Sequence, residues 1–198
     1  LGWLLGRGYA VDAALQLVGN RFQLHRRQRM AVARAAAAPE AAARRRARRG
    51  ALAGQAVVVD GFNVLVTVEA ALSGAVLLRG ADGLLRDLAS VHGTYRTVDE
   101  TTRAMGLLAD ALAPARAVTW VLDRPVSNSG RVAALARARG WDAVLEDAAD
   151  AAIVAAASAG ARAATADGPL LDRCPAAVDL VGPLVAALDA SWVVDLAP

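Results

Sequence analysis

Lysine is absent from this chain of 198 residues, so every basic side chain besides the two histidines is one of 22 arginines. A P-loop binds nucleotide phosphates through the lysine of Gly-x-x-x-x-Gly-Lys-Ser/Thr, and that class of site is therefore excluded. The Gly-x-Gly-x-x-Gly pattern of dinucleotide-binding proteins follows none of the predicted strands, which argues against a dinucleotide cofactor.

Cysteine and long apolar runs are also scarce. Cys174 is the only cysteine, and with His25 and His92 it cannot build a Cys/His zinc cluster or a disulfide framework. We therefore expect a protein of the reducing cytoplasm. The longest apolar stretch, 148–161, is interrupted by Asp150 and is too short to span a bilayer, so we expect no membrane partner.

The charges are divided unevenly along the chain. Residues 1–54 carry 11 arginines against Asp12 and Glu40, a net charge of +9, whereas residues 55–198 carry 11 arginines against 17 acids, a net charge of −6. A basic segment attached to an acidic domain indicates a polyanionic partner, commonly nucleic acid. The candidate nucleic-acid contacts, for which a solvated helix face is the alternative, are Arg26, Arg27, Arg29, Arg44, Arg45, Arg46, Arg48 and Arg49.

The first fifty residues are predicted to be helical. The Gly19-Asn20 pair is expected to end one helix, and Pro39 suits the first position of a later one. Gly50 begins a glycine-containing linker. We therefore predict a basic helical domain over residues 1–50 and a second domain over residues 51–198.

From residue 55 onward, short apolar runs alternate with helical patterns, which is typical of an α/β domain with a parallel sheet. An Asp82-Gly83 pair between two apolar runs predicts a hairpin over residues 77–85. Thr97 and Glu100 predict a capping box at the start of a helix. The predicted strands are 56–60, 117–122, 142–145, 163–166 and 177–181.

Carboxylates stand where several of these elements meet. Asp60, Asp123 and Asp167 each close an apolar run, Asp147 follows another, and Asp150 begins a helix. Ligands of open α/β sheets bind in the crevice beyond the carboxyl ends of the strands. Several carboxylates in one crevice repel one another unless a cation is bound, and oxygen ligands suit Mg²⁺ or Mn²⁺. For Asp60, capping of the next helix is the alternative.

The stretch Val59-Asp60-Gly61-Phe62-Asn63-Val64-Leu65 resembles the PIN-like nuclease superfamily, particularly its NYN branch, whose first strand commonly ends in Asp-Gly-x-Asn. Asp150 at a helix start and Thr165-Ala166-Asp167 at a strand end fit the same pattern. The resemblance implies a three-layer, Rossmann-like parallel sheet preceded by a helical arm. It implies the catalytic residues Asp60, Asp123, Asp150 and Asp167, of which Asp60, Asp123 and Asp167 would be metal ligands.

The N-terminal stretch, from Leu4-Leu5-Gly6-Arg7 to Arg27-Gln28-Arg29, resembles a small domain without an assigned activity that is fused ahead of PIN-like domains in prokaryotes. The PIN pattern also has departures here. Glu69 is the nearest candidate for the acid that many members carry on the helix after the first strand. Asp167 is followed by Gly168 rather than by a second acid. A non-cleaving member of the superfamily therefore stays an open alternative.

Further polar residues near the strand ends are candidates for substrate binding. Asn63 follows the first aspartate, Arg124 follows Asp123, and Ser127 and Asn128 lie at a helix start that suits a phosphate. Plain helix capping is the alternative for Ser127 and Asn128. His92, in a predicted loop, is a candidate general base, with a structural role as the alternative.

The sequence thus predicts a metal-dependent nuclease that uses Mg²⁺ or Mn²⁺ and acts on RNA in preference to DNA. Binding of nucleic acid by a catalytically inactive adaptor is the first alternative, and hydrolysis of a small phosphoester is the second. A homodimer is compatible with the sequence.

Overall fold

The computed structural model describes residues 1–89, 95–96, 98–188 and 191–197. Its helices are α1 (Gly2–Gly6), α2 (Val11–Arg21), α3 (Arg26–Ala35), α4 (Pro39–Ala47), α5 (Gly61–Leu72), α6 (Glu100–Leu112), α7 (Ser129–Arg137), α8 (Ala149–Ser158), α9 (Gly168–Arg173) and α10 (Val181–Ala186). Its strands are β1 (Ala56–Asp60), β2 (Val76–Arg79), β3 (Leu85–Arg86), β4 (Ala117–Asp123), β5 (Asp142–Glu146), β6 (Arg162–Ala164) and β7 (Trp192–Asp195).

The main sheet has four parallel strands in the order β5-β4-β1-β6. The chain moves outward from β1 to β4 and β5, then returns to place β6 on the other side of β1. The strand order therefore reverses at β1. Such a reversal opens a crevice at the carboxyl ends of the strands, where α/β proteins bind their ligands.

Helices cover both faces of this sheet. Val57 and Val59 of β1 pack in one core with residues of α5, α6, α7 and α10, whereas Val58 packs in a second core with α8 and α9. Trp120 and Val121 of β4 divide between the two cores in the same way. This alternation is what a strand buried on both faces requires. The α/β class and the helix-flanked parallel sheet, arranged in three layers, are confirmed.

A smaller sheet joins β3, β2 and β7 in that order. The predicted hairpin is confirmed, because β2 and β3 pair antiparallel around Gly80–Gly83. Strand β7 pairs in parallel with β2 and was not predicted. The predicted capping residue Thr97 and the candidate base His92 lie outside the described residues.

Two predicted elements differ from the structure, namely one strand and the end of one helix. Residues 177–181 form no strand; Ala177 makes an isolated bridge to Ala163, and α10 begins at Val181. The carboxylate of Asp179 accepts a hydrogen bond from the Gly182 amide at 2.8 Å, which turns the chain into that helix. Helix α2 continues to Arg21, one residue beyond the helix stop predicted at Gly19-Asn20.

The N-terminal helices pack against the α/β part through a buried ion cluster. Arg45 donates to Asp172 at 2.9 and 2.6 Å and to Asp82 at 3.2 Å. Arg86 donates to the same Asp82 at 2.8 and 2.6 Å. Asp82 is only 1 % exposed. The basic helical domain is therefore docked against the α/β part. None of the helices in the described part of the chain has the length and apolar content that a bilayer crossing requires.

Candidate active site

A cleft of about 540 Å³ lies beyond the carboxyl ends of β1, β4 and β6. The structure brings together in it the five residues that the strand-end pattern and the PIN resemblance single out, namely Asp60, Asp123, Asp150, Asp167 and Asn63. Helix α3 of the N-terminal domain forms the opposite wall with Met30, Ala33 and Arg34. The cleft is therefore built by both halves of the chain.

Asp60 ends β1 and stands at the N-terminus of α5, where the close approach of Leu122 to Gly61 leaves no room for a side chain at residue 61. Its carboxylate makes no capping hydrogen bond to that helix. It accepts instead from the Thr165 hydroxyl, at 2.7 Å. The side chain of Asp60 therefore does not cap α5 by hydrogen-bond geometry, although the Asn63 backbone amide lies near enough to act on its charge.

The environment of Asp60 opposes its negative charge. Burial raises its pKa, the Thr165 hydroxyl lowers it, and the nearby charges of Asp167 and Asp123 raise it further, so that it reaches about 7. The backbone amide of Asn63 also lowers this pKa. No salt bridge joins Asp60 to an arginine within the described ranges. The charge of Asp60 therefore lacks a compensating cation.

Asp167 and Asn63 belong to one hydrogen-bonded loop. The Asp167 carboxylate accepts from the Leu170 amide at 2.8 Å and so caps α9. The Asn63 side-chain oxygen accepts from the Ala166 amide at 2.8 Å. These bonds attach the loop after β6 to the start of α5 and hold Asp167 beside Asp60.

Asp123 and Asp150 complete the acidic wall. Burial and the charge of Asp150 both raise the pKa of Asp123. Arg124 does not neutralise Asp123, because its Nε donates to Asp147 at 3.1 Å and its Nη2 donates to the Leu145 carbonyl. Asp150 is exposed and lies 3.8 Å from an exposed arginine, Arg173. Neither arginine is among the residues that line the cleft.

Three polar residues that the sequence indicated as candidates, Ser127, Asn128 and Glu69, lie outside the cleft. The Ser127 hydroxyl accepts from the Tyr95 amide at 3.1 Å, and the Asn128 side chain donates to the Tyr95 carbonyl at 2.7 Å. Both fix the loop at Tyr95 and neither lines the cleft. Glu69 is buried against Tyr95 and Thr101, which places it in the core. The structure thus gives these three residues structural contacts.

Most of the predicted nucleic-acid contacts are engaged within the chain. Besides Arg45, Arg46 and Arg48 donate to backbone carbonyls of the α/β part, Arg49 lies 3.8 Å from Asp179, and Arg29 donates to the Asn20 side chain. The remaining three are exposed and have no hydrogen bond or ion pair with the described residues: Arg26, Arg27 and Arg44. We therefore restrict the expected contacts to these three.

Among the cleft residues that were not predicted from the sequence, two charged ones contact each other. Arg34 of α3 and Asp87, which follows β3, line the cleft and contact each other at 2.8 and 3.3 Å. They are 53 positions apart, and no spacing pattern joins them. The excess of arginine in residues 1–54 was the one feature of the sequence that could have indicated a role for Arg34.

The donors of the cleft fit a hard divalent cation in kind. They are carboxylate oxygens, and burial in the first place, with the charges of neighbouring aspartates in addition, raises the pKa of Asp60 and of Asp123. Among the described residues, no group of three or more histidine, cysteine or acidic side chains is arranged to hold an ion. Mg²⁺ is commonly bound through one or two carboxylates, with water and substrate phosphate as its other ligands. The arrangement therefore suits an ion shared with a substrate.

The raised pKa of Asp60 predicts a measurable pH dependence of stability. Its folded pKa of about 7 lies above the ordinary value of a free aspartate, so the folded state binds more protons in between, and stability falls as pH rises through that window. In EDTA, Asp60→Asn should remove part of this decline, at most about 1.4 kcal/mol per pH unit. Melting between acidic and mildly alkaline pH measures it. Asp110→Asn, an exposed acid on α6, is the control. Parallel profiles for wild type and Asp60→Asn would contradict the prediction.

Two family models together match most of the chain. Residues 49–183 match the family described as "Domain of unknown function (DUF5616)", and residues 1–48 match "Protein of unknown function (DUF434)". The "Uncharacterized protein MJ0935" of Methanocaldococcus jannaschii is 31% identical over 136 residues, which is 66% of this chain and 65% of that protein. The chain thus spans less than two thirds of that relative's length. No solved structure matches the chain significantly.

Proposed function

Since the chain belongs to the family described as "Domain of unknown function (DUF5616)", whose description states no activity, we propose from the geometry of the cleft that it is a metal-dependent nuclease. We propose in addition that the α/β part is PIN-like and that RNA is its preferred substrate. One observation carries the proposal. Four aspartates line the cleft at the carboxyl ends of the strands, where the strand order reverses. Within the described part of the chain, only Asp150 among them has an arginine at salt-bridge distance, and that arginine, Arg173, does not line the cleft.

Each aspartate has a distinct place in the proposed site. Asp60, Asp123 and Asp167 would bind one or two Mg²⁺ or Mn²⁺ ions, each ion through one or two of these carboxylates, because Asp60 and Asp123 end β1 and β4, Asp167 follows β6, and all three line the same cleft. Thr165 fixes Asp60, and the α9 amide of Leu170 fixes Asp167, so the two carboxylates keep their orientation. Asp150, in the first turn of α8, would orient the attacking water from the exposed side of the cleft.

A bound divalent ion would supply Lewis-acid stabilisation of the charge that develops on the phosphoryl oxygens. The protein residues supply the rest. Asp60 is desolvated by burial, and the buried apolar side chains of Phe62 and Val66 line the same cleft. A cleft with reduced water access strengthens the electrostatic interactions of the groups within it.

A second function, nucleic-acid binding by an inactive domain, is favoured by one observation. No three carboxylates among the described residues are arranged to hold a metal ion. This adaptor function predicts binding of RNA without cleavage in any divalent ion. It also predicts a melting temperature that Mn²⁺ does not change.

Incubation with single-stranded RNA and DNA of the same sequence tests the proposed function. We expect RNA cleavage in Mn²⁺ or Mg²⁺ and none in EDTA, and we expect Mn²⁺ to raise the melting temperature, because a ligand that binds only the folded state stabilises it. Binding without cleavage, together with indifference to Mn²⁺, would establish the adaptor function instead.

Arg26, Arg27 and Arg44, the three predicted contact residues that are exposed and unbonded within the described part of the chain, predict a modest salt dependence of RNA binding. Each phosphate contact on a single strand contributes about 0.7 to the slope of log affinity against log salt. Replacing Arg26, Arg27 and Arg44 together by glutamine should therefore reduce the slope by about 2 and weaken binding of all sequences alike. Fluorescence anisotropy at several salt concentrations measures the slope. Arg79→Gln, which removes an arginine that lies 3.5 Å from Asp195 and outside the cleft, is the control and should leave the slope unchanged.

A further inference from the structure

The cleft contains cationic side chains as well as acids. Five aspartates line it, and two arginines, Arg34 and Arg86, line it with them. A phosphate group that enters an acidic cleft is repelled unless cations offset the carboxylates. An arginine can bind such a phosphate only through N–H groups that are not already hydrogen-bonded within the chain, so the bonds of Arg34 and Arg86 decide which of them can bind it.

Arg86 has its terminal donors occupied. Its Nη1 donates to Asp82 at 2.8 Å and to the Leu84 carbonyl at 3.2 Å, and its Nη2 donates to Asp82 at 2.6 Å. Its side chain is 9 % exposed. This guanidinium serves the buried ion cluster and not a ligand.

Arg34 is placed differently. Its Nη1 donates to the Asp87 carbonyl at 2.8 Å and to the Asp87 carboxylate at 3.3 Å. Within the described ranges, its Nε and Nη2 meet no acceptor, and its side chain is 31 % exposed. One edge of the guanidinium is thus anchored while the other is open. A guanidinium edge with two parallel N–H donors matches the geometry of a phosphate group.

The anchor of Arg34 is itself fixed. Asp87 is buried, and its carboxylate accepts from the Thr67 hydroxyl at 2.9 Å and from the Ala89 amide at 2.7 Å. The Thr67 hydroxyl also lies 2.7 Å from the Asn63 carbonyl, one turn earlier on α5. The position of Arg34 is therefore set by the same helix that begins beside Asp60. Such support by neighbouring groups is what a preorganised binding residue requires.

We propose that Arg34 binds a phosphate of a single nucleic-acid strand in the cleft, through Nε and Nη2, while the aspartates face a neighbouring phosphate. The assignment of the ligand as nucleic acid rests on the proposed function. A volume of about 540 Å³ is in the range that encloses a ligand of drug-like size, so the cleft accommodates a short segment of one strand rather than a duplex. The N-terminal domain thereby contributes a residue to the site of the α/β domain.

The test is binding of a labelled single-stranded RNA of about 12 nucleotides, a length within the site sizes of single-strand-binding proteins. All variants carry Asp60→Asn to prevent cleavage, and Mg²⁺ is present. Arg34→Gln should weaken binding by about 10- to 100-fold, as expected for hydrogen bonds to a charged group, and should reduce the salt slope by about 0.7. Arg34→Lys keeps the charge without the two-donor edge and should recover part of the affinity. Arg79→Gln, which also removes an arginine that contacts one carboxylate and one backbone carbonyl but does not line the cleft, is the matched control.

Thermal melting accompanies each measurement, because Arg34→Gln also removes the bond to Asp87. If that variant does not fold, the affinity and salt slope of Arg34→Lys carry the test. Equal affinity of the Arg34 variants and the control, or no binding by the Asp60→Asn parent, would overturn the assignment. Metal-dependent cleavage by the wild type would then leave the nuclease proposal standing. Weakened binding by the Arg34 variants without wild-type cleavage would support the assignment and overturn the nuclease.

Discussion

Replacing Asp60 by asparagine is expected to lower metal-dependent RNA cleavage by at least about 100-fold while the protein stays folded. The reason is that Asp60 is a proposed metal ligand that lies close enough to Asp167 and Asp123 for their charges to act on it. Loss of a residue that merely supports a metal ligand already reduces affinity or activity 10- to 100-fold, so loss of a proposed ligand should have at least that effect. Cleavage rates at saturating Mn²⁺ measure it.

The stability of Asp60→Asn separates a site residue from a structural one. Because the environment opposes the charge of Asp60, the neutral amide should make the metal-free protein equally stable or more stable at neutral pH. The stabilisation by Mn²⁺ should shrink at the same time. Asp110→Asn should match the wild type in all three measurements. Full activity in Asp60→Asn would remove Asp60 from the site.

Replacing Asp82 by asparagine should have the largest effect on stability, a loss of about 3–5 kcal/mol of unfolding free energy. Asp82 is the anion between Arg45 and Arg86, both of which are 9 % exposed in their side chains. Removal of one partner of a buried ion pair leaves an uncompensated charge, and here it leaves two guanidinium groups facing each other. Urea unfolding measures the change.

A surface pair provides the control for this prediction. Asp195 lies 3.5 Å from Arg79 and is 61 % exposed, so Asp195→Asn should change stability by at most about 1 kcal/mol.

The ion pairs of Asp82 also predict that the wild type loses stability at acidic pH. Burial raises the pKa of Asp82, but the hydrogen bonds and charge of Arg86 outweigh it and hold the pKa below its usual value, so the contribution is lost as pH falls through that lowered pKa. A loss below about 1 kcal/mol in Asp82→Asn would show that the cluster is not needed for folding.

The parts of the site that could be predicted from the sequence are those determined by residues that are neighbours in the chain. An acid that follows a buried parallel strand must lie at the carboxyl edge of the sheet, and this placed Asp60, Asp123 and Asp167 correctly in one cleft. The hairpin was found because Asp82-Gly83 is a local turn signal. The apolar run at 177–181 misled the strand prediction, since a buried helix start and a buried strand share the same composition.

The parts that sequence reasoning missed depend on how separate elements dock. Arg45 looked like a member of a solvated basic cluster, yet its partners Asp82 and Asp172 are 37 and 127 positions away. Asn128 adopts a φ of +65° and turns its side chain towards Tyr95, 33 positions earlier, which no local pattern foretells. Long-range ion pairs and loop contacts of this kind leave no periodic trace in a single chain.

The buried ion cluster has a consequence for the way such proteins can be rearranged. The segment that matches one family model supplies Arg45, and the segment that matches the other supplies Asp82, Arg86 and Asp172. A chimaera that exchanges one segment between relatives therefore needs a compatible charge at each of these positions. Where a genome encoded the two segments as separate chains, we would expect the same cluster to appear as an interface between subunits.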